Sequence, residues 1–162
     1  MFHASMYTGN LQEDYQLLGR QLQALLEDEP DRIANLSNTA ALLNQFLDRI
    51  NWVGFYLYEE STEQLVLGPF QGLPACVRIP INKGVCGTSA AKRETIRVAN
   101  VHDFPGHIAC DAASLSEIVI PLISNGKLIG VLDIDSPEEN RFSSEEQVEL
   151  ERLVDKLMPY IA

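Results

Sequence analysis

The chain has 162 residues, of which 46% are hydrophobic, and its formal net charge is −11. This length suits one domain with a full core over residues 1–162, and this hydrophobic content argues against disorder. The acidic charge disfavours nucleic acid and anionic membrane surfaces, because both bind proteins largely through basic side chains. No apolar stretch approaches the ~20 residues that span a bilayer, and residues 1–5 show no secretory signal. We therefore expect a cytoplasmic protein with no nucleic-acid or membrane partner.

Helices are predicted at both ends of the chain. Apolar residues recur at steps of three and four over residues 11–25 and again over residues 33–50, with Pro30 marking the second start. Near the other end, Ser143 and Glu146 have the spacing of a capping box. The helix that they open turns four residues inward: Leu150, Leu153, Leu157 and Ile161.

Strands occupy most of the middle of the chain. Residues 52–58, 64–68 and 76–81 are rich in β-branched and aromatic residues or alternate in polarity, which predicts three strands. A short helix over residues 88–94 and a strand through residues 96–98 follow. The pattern therefore predicts an α/β domain with an antiparallel sheet.

A long polar loop and a hairpin complete the sheet. Residues 100–115 lack apolar periodicity, and loops of this length are often functional. Residues 117–123 and 128–135 are strongly apolar and are joined by Asn125-Gly126, which favours a two-residue hairpin turn.

Three cysteines are candidates for chemistry. An isolated cysteine is more often a small core residue than a nucleophile, but none of the three lies inside an apolar run. Cys76 begins a predicted strand, Cys86 lies in a glycine-flanked turn before a helix, and Cys110 ends the polar loop. A helix N-terminus or a nearby cation lowers the pKa of a thiol, and Cys86 is the better placed to experience a helix field. His107 and Arg78 are possible cations.

Two aspartates stand out in the last predicted strand. Asp133 and Asp135 are two residues apart and therefore share a face, opposite the apolar face of the strand. They are either the exposed end of the strand or a buried pair that needs a proton or a cation. Glu117 lies on the opposite face if the hairpin is regular, whereas an odd loop or a bulge brings it beside the aspartates. The sequence leaves both questions open.

Metal and cofactor sites are not predicted. His102, His107 and Cys110 lie close together in the sequence, but no CxxC pair accompanies them, as is usual in structural zinc sites. There is also no glycine-rich phosphate loop, nucleophile elbow or zinc-protease motif.

Six short motifs occur in a fixed order along the chain. They are NWVGFY at 51–56, LGPFQG at 67–72, ACVRIP at 75–80, GVCG at 84–87, GHIACDA at 106–112 and GVLDIDS at 130–136. Together they resemble the free methionine-(R)-sulfoxide reductases, which are free-standing GAF domains. The resemblance implies a GAF-type α+β fold, with a central antiparallel sheet of about six strands and the N- and C-terminal helices packed on one side.

The resemblance also implies an activity, the reduction of free L-methionine-(R)-sulfoxide without a cofactor. A thiolate attacks the sulfoxide, a sulfenic acid forms, and an intramolecular disulfide follows that thioredoxin reduces. By resemblance, Cys110 is the nucleophile, Cys76 is the resolving cysteine, and Cys86 is a second resolving thiol or a relay. Chemistry alone leaves open whether Cys86 or Cys110 attacks first.

Substrate contacts follow from the same resemblance. Glu117, Asp133 and Asp135 match the carboxylates of the family's substrate site, where one supplies a proton and the others hold the substrate ammonium. Which of them is the acid stays open. Trp52 and Tyr56 are candidates to enclose the methyl end, although a plain core role is the simpler interpretation for at least one of them.

A second hypothesis competes with the enzyme. GAF folds also serve as sensor modules that bind a small effector without chemistry, and a fold alone does not decide between the two. Three thiols outside apolar runs favour the reductase, because a binding module has no need of them. We also expect a homodimer, with the terminal helices as a possible symmetric interface.

Overall fold

The computed structural model describes residues 7–107 and 112–162. These residues form four α-helices and six β-strands. The helices are α1 (Leu11–Leu26), α2 (Arg32–Phe46), α3 (Gly84–Lys92) and α4 (Ser144–Leu157). The strands are β1 (Trp52–Glu59), β2 (Gln64–Gly72), β3 (Arg78–Pro80), β4 (Ile96–Val98), β5 (Ser116–Ser124) and β6 (Lys127–Ser136). Short 3₁₀ helices span Val101–Asp103 and Met158–Tyr160.

The six strands form one antiparallel sheet in the order β3-β2-β1-β6-β5-β4. Helices α1, α2 and α4 cover one face, against inward side chains such as Phe55, Ile118 and Leu132, none more than 1% exposed. Alternation along each strand sends the neighbouring side chains to the opposite face. The predicted α+β fold, with the terminal helices on one side of a six-stranded sheet, is therefore confirmed.

The second face of the sheet carries α3 and a smaller apolar cluster. Trp52, Tyr56, Val119 and Val131 point to this side and pack with Cys86 and other residues of α3. Among the described helices, α3 alone packs on this face, and the cleft beside it can hold a ligand. The chemistry-bearing side chains of the hairpin lie on this face.

Local signals in the sequence set the helix starts. Asn10, Asp31 and Ser143 each accept a hydrogen bond from a first-turn backbone N–H of α1, α2 and α4. The predicted capping box is half formed, since the Glu146 N–H donates to Ser143 Oγ at 3.0 Å. The Glu146 carboxylate instead accepts hydrogen bonds from buried groups of other elements.

The β5–β6 hairpin contains a bulge that decides which residues face α3. The turn residues Asn125 and Gly126 both have positive φ, as a two-residue type I′ turn requires. Beyond the turn the register shifts, because Ile123 pairs with Leu128 whereas Leu122 pairs with Gly130. Ile129 is therefore the extra residue, and from this point onward every partner moves by one position.

Several element boundaries differ from the sequence prediction: α2 ends at Phe46 and not at residue 50, β2 extends to Gly72 and not to residue 68, and two further differences involve the cysteines. The third strand is only Arg78–Pro80 and not residues 76–81, because Cys76 precedes the strand and lies outside the ladder with β2. The short helix begins at Gly84 and not at Thr88, so Cys86 lies inside its first turn. Among the described residues, none belongs to a helix long and apolar enough to cross a membrane.

Candidate functional site

A cleft lies between α3 and the open face of the sheet. About 570 Å³ of open space, including solvent at the mouth, lies between its lining residues. Six residues proposed from the sequence line it: Trp52, Tyr56, Cys86, Glu117, Asp133 and Asp135. The fold therefore brings together side chains from β1, α3, β5 and β6.

The hairpin bulge gathers the three carboxylates. Glu117 pairs directly with Asp135 across the β5–β6 ladder, and Asp133 is the next residue on the same face of β6. A regular hairpin would have paired Glu117 with Ile134 and turned it towards the helices. Of the alternatives that the sequence left open, the structure contains the bulged one.

The surroundings of Glu117 favour the protonated form of its carboxyl group. Burial raises the pKa of this group well above the ordinary value of 4.5, and the negative charges of Asp133 and Asp135 raise it further. Burial also raises the pKa of Asp133, while hydrogen bonds donated to it by Glu117 and Cys86 act in the opposite direction. Of the two carboxyl groups, Glu117 is therefore the one whose setting favours a proton more.

The aspartates differ in exposure and in hydrogen bonding. Asp133 is 5% exposed, and its Oδ1 accepts no hydrogen bond from the described part of the chain. Asp135 is half-buried and lies nearer the mouth. A cationic group in the cleft could therefore be bound by the more exposed Asp135 or by the buried Asp133.

Cys86 does not behave as its position at a helix start suggested. Its thiol is free and 4% exposed, and its Sγ lies 3.9 Å from Glu117 Oε2. Burial raises the pKa of Cys86 well above the ordinary value, and the neighbouring carboxyl groups of Asp133, Glu117 and Asp135 raise it further. The expectation that a helix field would favour its thiolate is wrong, because desolvation and three nearby carboxyl groups oppose it.

An aromatic wall encloses one side of the cleft. The Trp52 ring stacks on Tyr56 at 5.9 Å and on Phe70 at 5.2 Å between ring centroids. Trp52 and Tyr56 are 3% and 2% exposed, so both are core residues and cleft residues at once. An aromatic residue in a strand is expected both in a core and in a binding site. The sequence alone therefore did not distinguish core packing from substrate contact for these two residues.

Of the remaining two cysteines, the structure describes Cys76. Cys76 is half-buried and packs at the edge of the smaller cluster, and its carbonyl oxygen accepts a hydrogen bond from the Tyr56 hydroxyl at 2.9 Å. Cys110 is the nucleophile expected from the resemblance. It belongs to the segment 108–111, which is outside the described residues. His107, which precedes them, lines the cleft.

Lys83 and Ser114 also line the cleft, although neither was a candidate from the sequence. Lys83 immediately precedes α3, so it lies where a helix N-terminus also favours anions. The sequence signal that could have identified Lys83 is a basic residue directly before a short glycine-flanked helix. Arg78, considered as a cation for a thiolate, instead pairs with Glu59 at 2.8 Å on the surface.

The spacing of the deepest groups also permits a cation. Ligand atoms of Cys86, Glu117 and Asp133 all lie within 4.8 Å of one another. Metal binding requires deprotonated ligands, whereas the pKa values of all three groups are raised. We assign no metal to this cluster, which the sequence had not predicted as a metal site either.

The curled six-stranded sheet, with helices on one face and the α3 cleft on the other, defines a GAF domain, and the GAF-domain family model matches residues 34–160. The chain is 52% identical to the free methionine-R-sulfoxide reductase of Escherichia coli over 153 residues, 94% of this chain and 92% of that protein. It therefore belongs to the free methionine-R-sulfoxide reductase family.

Solved structures agree with this assignment. The free methionine-R-sulfoxide reductase of Neisseria meningitidis, in complex with its substrate, superposes with a TM-score of 0.95 at 41% identity and covers 99% of this chain and 96% of its own. The fRMsr of Staphylococcus aureus, also in complex with substrate, gives 0.87 at 52% identity and covers 98% and 100%.

Proposed function

We propose that this protein reduces free L-methionine-(R)-sulfoxide to methionine in the α3 cleft. The observation that carries the proposal is the buried acid Glu117, held beside Asp133 and the Cys86 thiol in the α3 cleft. A sulfoxide oxygen becomes basic as its sulfur is attacked, so a neutral carboxylic acid at this depth is the group that the reaction needs.

The cleft has complementary groups for each part of a free amino acid. Asp135 at the mouth suits the ammonium group, and Lys83 with the N-terminus of α3 suits the carboxylate. The sulfoxide then extends inward to Glu117, and its methyl group lies against the Trp52 ring. A peptide lacks one or both terminal charges, so this arrangement selects the free amino acid.

The reductive step needs one thiolate and one proton. We assign the thiolate to Cys110, which attacks the sulfoxide sulfur while Glu117 protonates the oxygen. The sulfur–oxygen bond breaks, methionine leaves, and the oxygen ends on Cys110 as a sulfenic acid. The sulfur of Cys110 is oxidised by two electrons, and the sulfur of the substrate is reduced by two.

Turnover then requires a second thiol. Cys76 attacks the sulfenic sulfur, forming a disulfide with Cys110 and releasing water. A dithiol such as thioredoxin reduces that disulfide, regenerating two thiols and becoming oxidised itself. These reactions take place in a cytoplasmic protein, where such dithiols keep thiols reduced.

Cys86 takes a different role in this scheme. Its raised pKa keeps it a neutral thiol, which is a poor nucleophile, and its burial denies access to an external reductant. We propose that it donates a hydrogen bond to the carboxylate cluster and so helps to keep the acid in place.

A coupled assay on separated sulfoxide epimers tests the function. Thioredoxin, its reductase and NADPH are supplied, and methionine release is measured for the free R epimer, the free S epimer and an N-acetylated, C-amidated R sulfoxide. We expect turnover of the free R epimer only. Comparable turnover of the blocked compound contradicts the proposed recognition of both termini, and tight binding without methionine release identifies a sensor.

A further inference from the structure

Two strongly exposed apolar side chains flank Cys76. Leu73 is 63% exposed and Val77 is 62% exposed, the highest values among the large hydrophobic residues exposed in the described part of the chain. The other three lie apart on α1, α2 and α4. Apolar side chains grouped on a surface mark contacts with other molecules more often than scattered ones do.

The backbone beneath these side chains is fixed. Three hydrogen bonds hold it to the sheet from the inner side. They reach the carbonyl oxygens of Leu73, Cys76 and Val77 at 3.1, 2.9 and 2.8 Å from Trp52 Nε1, the Tyr56 hydroxyl and the Leu67 N–H. A partner therefore meets a preorganised surface and does not have to order a loop.

The sequence segment that carries this surface differs in charge from the whole protein. Residues 64–93 contain no aspartate or glutamate, although the chain has 23 such residues, and they contain four lysines and arginines. Arg78 follows Val77 directly and is about half exposed, with Glu59 as its ion-pair partner at the border of the segment. This segment therefore lacks the acidic side chains that repel an acidic protein from the rest of the molecule, and Arg78 offers it a partly exposed guanidinium group.

We propose that Leu73, Val77 and Arg78 form a docking surface for a protein dithiol reductant whose reactive sulfur is surrounded by an apolar surface with an acidic border. The inference rests on the proposed function, because a reductant has a reason to bind here if Cys76 forms a disulfide during turnover. It identifies where that reductant binds and which sulfur it attacks.

The exchange on this surface proceeds in two steps. The reductant thiolate attacks Cys76 Sγ, a mixed disulfide forms, and Cys110 leaves as a thiolate that takes up a proton. The second thiolate of the reductant then attacks its own sulfur in the mixed disulfide and releases Cys76. Two electrons pass from the reductant to the protein, and the reductant ends as a disulfide.

Matched variants at Val77 test the docking surface. Methionine formation is measured with thioredoxin, its reductase and NADPH, and in parallel with dithiothreitol. We expect Val77→Asp to raise the KM for thioredoxin about tenfold or more, the effect of losing one interface anchor, and to leave the dithiothreitol reaction unchanged. Val77→Lys removes the same apolar contact without adding an acid and is expected to have a smaller effect. Ile33→Asp, at an exposed site on α2, is the control.

The outcomes separate this inference from the proposed function. An unchanged KM for thioredoxin in Val77→Asp overturns the docking surface while dithiothreitol-driven turnover still supports the reductase. Equal losses with both reductants overturn it too, because they indicate damage to the site. Sedimentation velocity of the wild type and Val77→Asp checks self-association, and a change of oligomeric state without a change in KM assigns this surface to a second copy of the chain.

Discussion

At the scale of single residues, the raised pKa of Glu117 is the central feature of the site. Burial of its carboxyl group and the negative charges of Asp133 and Asp135 disfavour its ionisation. Maintaining such an acid costs folding free energy at neutral pH, because the same residue ionises freely in the unfolded chain. The residue is therefore expected to contribute to catalysis at the expense of stability.

Glu117→Gln separates catalysis from binding. We expect kcat to fall by roughly 10²–10⁴-fold, the usual contribution of a general acid, with a much smaller change in KM. Activity of the wild type should decline as pH rises through the raised pKa of Glu117, because the donor loses its proton. The variant should lack this alkaline decline. A variant that mainly raises KM instead assigns Glu117 to substrate binding.

The same substitution should stabilise the protein at alkaline pH. Above the ordinary pKa of about 4.5, the unfolded wild type releases a proton that the folded state retains, so the free energy of unfolding falls until the raised pKa is passed. Gln does not titrate, so the Tm advantage of Glu117→Gln should be small at pH 4 and larger at pH 8. Exposed Glu60→Gln is the control, and an advantage that does not grow with pH contradicts the neutral acid.

The cysteines can be distinguished in a single turnover without reductant. Cys110→Ser should release no methionine from one equivalent of sulfoxide. Cys76→Ser should release about one equivalent and stop at the sulfenic acid, which a dimedone adduct reveals by mass spectrometry. Cys86→Ser should also release one equivalent, because a serine hydroxyl retains the hydrogen bond. Loss of that release in Cys86→Ser alone makes Cys86 the nucleophile.

At the scale of elements, the sequence predicted strands and helices better than their ends and registers. Apolar periodicity located α1, α2, α4 and the hairpin, because burial of a whole face dominates those segments. The bulge at Ile129 has no such signature, so Glu117 was assignable to either face. The pKa of Cys86 also depends on residues 31 to 49 positions away, which no local pattern encodes.

Gly130 is required where β6 pairs with β1 next to the bulge. A Cβ there would collide with the Tyr56 carbonyl oxygen and would lie 3.0 Å from Leu57 Cα, and both are backbone atoms that cannot rotate away. We expect Gly130→Ala to lower the free energy of unfolding by about 2–3 kcal/mol and kcat/KM by roughly tenfold or more, as the strands separate near Asp133.

The control for this prediction is Gly126→Ala in the hairpin turn. Gly126 has φ of 76° but no atom within 4 Å of an added Cβ, so only backbone strain of about 1–2 kcal/mol applies. Chemical denaturation and steady-state kinetics measure both variants. Equal activity losses at the two positions would show that the effect is not specific to the pairing of β1 with β6.

At the scale of the whole molecule, stability and chemistry lie on opposite faces of the sheet. On the helical face, Glu146 accepts hydrogen bonds from Tyr15 at 2.8 Å and from Arg141 at 2.7 Å, and Arg141 also contacts Asp48. The Arg141 and Glu146 side chains are 4% and 9% exposed. This network joins α1, α4 and the segment after α2 without touching the cleft.

Breaking the network should destabilise the protein without altering the site. Glu146→Ala leaves Arg141 buried with only Asp48 as its partner, so we expect a loss of about 3 kcal/mol and a Tm lower by roughly 6–12 °C. Tyr15→Phe removes one hydrogen bond and should cost about 1 kcal/mol. At 20 °C both variants should keep the wild-type KM for the sulfoxide. A changed KM would indicate coupling through the sheet.

The bulge at Ile129 makes this hairpin sensitive to chain length in a way that substitutions do not reveal. Deleting residue 129 gives a regular ladder in which Glu117 still pairs with Asp135, because the deletion removes the one residue that the bulge accommodates. We therefore expect this deletion to retain activity. Inserting one residue between Leu132 and Asp133 instead pairs Glu117 with Ile134 and moves both aspartates to the other face, so it should abolish activity. Equal loss of activity in the two length variants would show that the bulge does more than set the register.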